Sequence, residues 1–450
     1  MKKPRFILYY SLLKTYLAFT LQQFYRRVEI AGYHEHVPRE VPVVFAPNHS
    51  NAFIDALNVA GFTAKDKQPT FVTRSDVFVK WALPAMTALK MLPIYRERDG
   101  VDAMRKNEAI FAKLVELLTF RDSIIIFPEG NHGRTRRLRP LKKGIARMCF
   151  QAAEQNGFDL PTQIVPVGLN YSDHVKFYRD LLVVYGPPID VQAYYDLYRS
   201  DANKALIALR DAVYEGLRDC LIDIPTKEYY DMVEALREIL SVEMTRAQGG
   251  DVNKGYDRFR AEKALIAMLQ ARIDAGDAAI PALDAQVRDY RRGLAVLKLR
   301  DHVLRDAPHA PGRLLGQGLL FALGLPLFLY GAVNHYHIYR FFHWLAVSKF
   351  RDDHFHSSMM HVQGFFLLPL LYLLQTGLVW ALSNGWFALA YLLSLLPAGN
   401  LAVAYRDAFK RWWGRLRYNR LLLRGDETLK RLVEWRKDFA ALVGQTVKAG

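Results

Sequence analysis

With 450 residues, 51% of them hydrophobic and 13% aromatic, the chain has room for about three domains, or fewer if part of it lies in a membrane. A net charge of +16 directs it toward anionic partners such as acidic lipid headgroups or phosphorylated substrates. No zinc-finger, RNP-like or bZIP-like pattern accompanies that charge to point to nucleic acid, and the two cysteines, Cys149 and Cys220, exclude a disulfide framework and fit a reducing compartment.

Lys2, Lys3 and Arg5 precede an apolar run, but Lys14 interrupts it and no small-residue cleavage site follows, so residues 1–27 do not read as a removed signal. Ser11, Thr15, Ala18 and Gln22 recur at helical spacing and leave Leu13, Leu17 and Phe24 on a broad apolar face. Such a helix suits the surface of a bilayer and suits equally a docked position against the next domain. Residues 28–225 then alternate short β-rich runs with helical stretches. Strands are predicted at 41–46, 69–74, 123–129, 162–170 and 181–186, with helices at 52–62, 75–91, 100–120 and 142–156. Apolar runs buried on both faces and separated by helices predict an α/β domain with a mixed or parallel sheet. An amphipathic helix from Lys204 to Leu221 closes it.

Residues 226–312 form a charged helical segment with loops predicted at 248–255 and 275–283 and no recognisable chemistry. Residues 313–405 contain three nearly charge-free stretches, 316–334, 362–382 and 385–405, each close to the length of about 20 residues that crosses a bilayer. Ser383 and Asn384 alone join the last two, which predicts a tight helical hairpin, and Pro326, Pro369 and Pro397 allow kinked or re-entrant forms. The tail 406–450 opens with Arg406, Lys410, Arg411, Arg415, Arg417, Arg420 and Arg424 against Asp407, which places it on the cytoplasmic face of a multi-pass or monotopic membrane protein.

The chemistry lies in the α/β domain. Val43–Ala46 reads as a buried strand ended by Pro47, and His49 follows where such folds display functional groups. Asp55 comes six residues later. Six helical steps turn through roughly 600°, so the pair can meet only with His49 in the loop and Asp55 in the following helix, for which Asn51 is the predicted N-cap. In that geometry Asp55 fixes one imidazole nitrogen and the other can take a proton from a hydroxyl. A second segment, Ile124–Gly144, ends a strand in Pro128, Glu129 and Gly130 and continues into a cationic run with His132 and Arg134. Arginines beside exposed amides suit phosphate, and Glu129 suits a polyol hydroxyl. Arg136, Arg137 and Arg139 read as part of a solvated basic face. A third cluster offers Arg96 and Arg98.

The segments APNHSNAFIDAL, MLPIYRER, IIIFPEG and IVPVGLN, in this order, resemble the four blocks of the glycerol-phosphate and lysophosphatidate acyltransferase superfamily. The resemblance covers residues 28–225. It implies His49 and Asp55 as the catalytic pair, Arg96, Glu129 and Gly130 as acceptor-binding residues, and Pro166 near the acyl-donor side. Arg134 and His132 are carried as further substrate contacts. Five residues separate His49 from Asp55 where the family usually has four, and Asn131, His132 and Gly133 replace the usual serine or threonine positions. Both departures resemble a branch that includes fungal glycerol-3-phosphate and dihydroxyacetone-phosphate acyltransferases.

The resulting expectation is an α/β acyltransferase domain with a mixed β-sheet flanked by helices, followed by a C-terminal membrane-embedded helical region. The implied reaction moves a fatty acyl group from acyl-CoA or acyl carrier protein to glycerol-3-phosphate, with lysophosphatidate as the alternative acceptor. No metal and no cofactor is required, and the membrane partners are lipids. A catalytically inactive lipid-binding protein on the same fold is the competing class.

Overall fold

The computed structural model describes residues 8–64, 67–75, 83–95, 103–131, 133, 135–350 and 354–449. The chain packs as two compact units, Met1–Asp223 with Ala346–Phe365, and Ile224–Leu345 with Phe366–Gly450.

The first unit is built on a mixed eight-stranded sheet. Its strands are β1 (Arg27–Ala31), β2 (Val43–Pro47), β3 (Thr70–Arg74), β4 (Met91–Ile94), β5 (Ser123–Ile125), β6 (Gln163–Tyr171), β7 (Asp180–Tyr185) and β8 (Ile189–Asp190). They lie in the order β1-β7-β6-β2-β5-β3-β4, with β8 paired to β6. β6 runs antiparallel to β7 and β8, and the other pairs are parallel. Around the sheet lie α1 (Leu8–Phe24), α2 (Tyr33–His36), α3 (Ala52–Phe62), α4 (Leu83–Ala88), α5 (Ala103–Thr119), α6 (Gly144–Gln155), α7 (Tyr195–Ser200) and α8 (Ala202–Asp219).

The unbroken apolar run of β2 follows from its place in the middle of the sheet. Side chains alternate between faces along a strand. Val43 and Phe45 therefore join a core with Leu17, Leu21, Ile54 and Val59 from α1 and α3, whereas Val44 and Ala46 join a second core with residues of α5, α6 and α8. The five predicted strands are all present. Sequence reading missed β1, β4 and β8, which are short and lie at or near sheet edges. Its helix at 75–91 is correct only for Leu83–Ala88 among the described residues, because Met91–Ile94 pairs with β3. Pro93 is accommodated there because β4 is the outermost strand.

α1 docks on α3. The two helices approach so closely at Gly61 that an added Cβ would lie 2.8 Å from Leu21 Cδ1. Lys14, which seemed to break the apolar face, is buried in that contact. Its ammonium donates to Thr63 Oγ1, Ala64 O and Lys67 O, each at 2.7 Å, and so satisfies acceptors just beyond the C-terminal end of α3. The opposite side of α1 leaves Leu8, Leu12 and Phe19 exposed.

The second unit is helical: α9 (Tyr230–Ala247), α10 (Gly255–Asp274), α11 (Ile280–Val296), α12 (Asp301–Arg305), most of α13 (Pro311–Lys349) and α14 (His354–Leu382), then α15 (Gly385–Leu423) and α16 (Glu427–Ala449). α16 packs on α9 and α11, so the end of the basic tail joins the charged helical segment in one body. A buried Arg436 fixes this join through Glu243 and Asp301. Among the described residues, three helices, α13, α14 and α15, are long and apolar enough to cross a membrane. All three run unbroken through Pro326, Pro369 and Pro397. The predicted hairpin forms at Asn384, whose side chain accepts from Trp386 N and Phe387 N and so caps α15. Leu323, Leu374, Leu378 and Leu393 stay exposed, while polar side chains tie the helices together, as in Tyr391 Oη to Asn334 Oδ1 at 2.5 Å and His335 Nε2 with Tyr372 Oη at 2.8 Å.

The docking of α1 gives a stability test. Lys14→Ala strands three acceptors, two of them buried, and it is expected to lower the stability of the first unit by about 2 kcal/mol. Chemical unfolding of the detergent-solubilised chain, followed by a probe in that unit, measures this.

Candidate active site

β2, β5 and β6 run parallel, so their C-terminal ends open on one edge of the sheet. Asn48 is the first residue beyond β2, and it continues the ladder with its side chain. Oδ1 accepts from Leu169 N at 2.7 Å and Nδ2 donates to Leu169 O at 3.3 Å. The chain is thereby held to β6 one residue before the histidine. His49 N then donates to Glu129 Oε1 at 2.7 Å, and His49 O accepts from Gly133 N at 3.3 Å. The imidazole stacks on Phe127, with ring centroids 4.3 Å apart.

His49 Nδ1 lies 2.9 Å from Asp55 Oδ2. His49 is in the loop and Asp55 is in the first turn of α3, the arrangement the spacing requires. Asp55 has no exposed surface, yet its carboxylate is fully engaged. Oδ2 also accepts from Ser50 N at 2.8 Å and Asn51 N at 2.7 Å, and Oδ1 accepts from Tyr171 Oη at 2.5 Å. The helix N-terminus adds a favourable dipole. Burial, and next the Asp55 charge, hold the Tyr171 phenol well above its usual range, so it stays a proton donor to the carboxylate. Asn58 Nδ2 braces Tyr171 Oη at 2.8 Å and Tyr25 Oη at 2.9 Å.

Glu129 is the second buried carboxylate. Its Oε2 accepts from Arg139 Nε at 2.9 Å. Burial raises its pKa above the ordinary value, while the His49 amide and Arg139 pull it down. Oε1 thus holds the loop that carries His49, and Oε2 holds the arginine-rich loop beside it. A small open cleft lies beside the pair, lined by His49, Glu129, Arg136, Arg139, Asn170 and His174 among others.

Of the residues singled out from sequence, the structure joins His49, Asp55 and Glu129. Gly130 follows with a φ of 71°, a conformation that favours glycine, at the turn into the arginine-rich loop. Pro166 is buried within β6 under α8, where Gly216 has no side chain and an added Cβ would lie 2.8 Å from Pro166 Cγ. Arg96, His132 and Arg134 lie outside the described residues. Two readings are corrected. Asn51 occupies the N-cap position of α3 but makes no side-chain cap bond. Arg136 and Arg139 are not merely solvated, since Arg136 Nη2 donates to Tyr171 O at 2.6 Å and Arg139 pairs with Glu129.

Asn48, Phe127 and Tyr171 escaped the sequence reading. Asn48 stands beside His49 in the sequence and was within reach of a capping argument, whereas Tyr171 meets Asp55 only through the pairing of distant strands.

Residues 27–170 match the family model described as Acyltransferase. Glycerol-3-phosphate O-acyltransferase 1 of Saccharomyces cerevisiae is 27% identical over 263 residues, covering 55% of this chain and 31% of that protein. Glycerol-3-phosphate O-acyltransferase 2 of the same yeast is 24% identical, covering 44% of this chain and 25% of that protein. Among solved structures, a 1-acyl-sn-glycerophosphate acyltransferase from Thermotoga maritima is 15% identical with a TM-score of 0.34, over 47% of this chain and 78% of that one. The matched region spans about a third or less of the length of the curated relatives.

Proposed function

We propose that the protein is a membrane-bound O-acyltransferase that moves a fatty acyl group from a thioester, acyl-CoA or acyl carrier protein, to a hydroxyl of glycerol-3-phosphate. The observation that carries this reading is the His49–Asp55 pair at 2.9 Å, with the aspartate buried and supplied with four donors. Asp55 fixes Nδ1 as the protonated nitrogen, which leaves Nε2 for the acid–base role. His49 takes the proton of the attacking hydroxyl as its oxygen bonds to the thioester carbonyl carbon. The tetrahedral oxyanion collapses, the C–S bond breaks, and the imidazolium returns its proton to the thiolate. Backbone N–H donors beside the cleft would stabilise the oxyanion. No covalent enzyme intermediate enters, and the products are the ester and the free thiol.

Glycerol-3-phosphate is favoured as acceptor because two relatives carry that activity in their names. Arg96, Arg134 and His132, together with the cationic wall of the cleft, are proposed to hold the phosphate, and Glu129 and Gly130 shape the floor beside it. Pro166, packed under α8, is proposed to support the donor side. The apolar helices α13–α15 are proposed to anchor the enzyme with its acyltransferase domain on the cytoplasmic face, where thioester donors are made.

Three experiments test this reading. His49→Ala is expected to lower kcat by about 10²–10⁴-fold with the chain still folded and membrane-bound, and Asp55→Asn by less. The assay is acylation of glycerol-3-phosphate by labelled acyl-CoA in detergent extract, with lysophosphatidate as parallel acceptor. Near-normal turnover in His49→Ala would remove the mechanism.

Arg96→Ala separates binding from chemistry. It is expected to raise KM for the phosphorylated acceptor far more than KM for the acyl donor, because a charge-assisted contact to phosphate is lost. Equal effects on both would make Arg96 structural.

Anchoring is checked by extraction. The full chain is expected to resist high salt and carbonate and to need detergent. Its release by carbonate alone would show that α13–α15 form a water-soluble helical body.

A further inference from the structure

The first unit is not contiguous in sequence. Residues 346–350 at the end of α13 and 354–365 in the first turns of α14 pack inside it, far in sequence from the family match at 27–170. Ala346, Met360 and Phe365 share a core with α1 and α3. Tyr16 Oη donates to Phe365 O at 2.8 Å, and Phe24 meets His361 edge-on at 5.3 Å.

Two serines of this segment reach the loop that carries the catalytic pair. Ser358 Oγ accepts from Ile54 N at 3.1 Å and donates to Asn51 O at 2.9 Å. Ser357 Oγ donates to Asn51 Oδ1 at 2.8 Å and also approaches His174 O at 3.2 Å. Asn51 Nδ2 donates to the same His174 O at 2.6 Å. Ser358 is fully buried, and Ser357 is 2% exposed.

Three features give these contacts meaning. Ile54 is the third residue of α3, the position whose N–H an N-cap side chain normally satisfies, and Asn51 does not do so. Ser358 supplies the cap from 304 residues away in the sequence. Next, Ala52 sits between the two contact points with a φ of 44°, a left-handed conformation costly for a residue with a Cβ. Finally, helical serines and threonines often return their hydroxyl to the carbonyl four residues back, as Thr245 does to Ser241 O in α9. Ser357 and Ser358 turn theirs outward. The strained stretch so clamped is the one whose Ser50 and Asn51 amides wrap Asp55.

We propose that Ser358, assisted by Ser357, is a positioning residue for the His49–Asp55 pair, so that the catalytic loop of the acyltransferase domain is completed by the start of a distant apolar helix. This rests on the acyltransferase reading above. Ser358 touches no reacting atom. It holds Asn51 and Ile54 so that Asp55 can accept from two loop amides and His49 at once.

The test uses the full chain in detergent. Ser358→Ala is expected to lower kcat per folded molecule by roughly 10- to 100-fold, the penalty of a small misplacement of catalytic groups. KM for acceptor and donor should change by less than about twofold, because the clamp binds neither. Amide hydrogen exchange at Asn51–Asp55 should quicken, while the amides of β2, β5 and β6 keep the parent rates. Ser357→Ala removes the contacts to the Asn51 side chain and to His174 O but leaves the Ser358 bonds to Ile54 N and Asn51 O, and it should show the same pattern with a smaller fall. It also carries the test if Ser358→Ala does not fold. Parent kcat in the folded variant would overturn the inference, as would a fall in kcat with unchanged exchange at Asn51–Asp55. His49→Ala assayed alongside keeps the two ideas apart. If it is inactive while the serine variant equals the parent, the clamp alone fails. If it retains activity, the acid–base reading itself fails.

Discussion

A carboxylate with no exposed surface, Asp55, is the constraint on which the candidate site depends. A buried charge without partners is too costly to persist, so the chain around it must supply donors. It does so from three directions: the His49 ring, the Ser50 and Asn51 amides, and the Tyr171 phenol. Each donor costs the chain some freedom. The two amides force a tight loop, that loop puts Ala52 at a φ of 44°, and Tyr171 must be held by Asn58 and by its place at the end of β6. One ionised group thus dictates the shape of the segment that presents the histidine.

Glu129 does for the backbone of His49 what Asp55 does for its ring. It reaches over from the loop after β5, accepts the His49 amide, and pairs with Arg139. Both carboxylates are held by groups from separate segments, and those segments converge because β2, β5 and β6 run parallel and end on one edge. The parallel sheet is therefore what gives the site its rigidity, since loops of very different sequence origin are fixed at their roots by neighbouring strands.

The second unit has a different logic. Its charged helices are joined by buried ion pairs around Arg237 and Arg436, whereas α13–α15 present leucines outward and keep hydrogen-bonding side chains for contacts with one another. An inward polar set with an outward apolar surface is the reverse of a water-soluble bundle and suits a lipid environment. The boundary between units falls within two of these helices, so residues 346–365 belong to the same chain run as the apolar stretches and yet complete the core beside α3.

Local sequence already determined much of this. The unbroken apolar runs of β2, β5, β6 and β7, the periodicity of α3, α6 and α8, and the absence of charge in 316–334, 362–382 and 385–405 are each encoded in consecutive residues, because burial on both faces or in lipid tolerates little else. The six-residue step from His49 to Asp55 even fixed which residue lies in the loop and which in the helix, since helical rotation permits no other contact. What local sequence could not decide was every partner that arrives from elsewhere in the chain. Lys14 looked like an interruption until the end of α3 provided its acceptors. Arg139 looked solvated until Glu129 turned toward it. Asn51 looked like a cap until Ser358 took that role. Hydrogen-bonding capacity is legible in a residue's type, but the partner is set by strand order and helix docking, and those are settled only when the whole core closes.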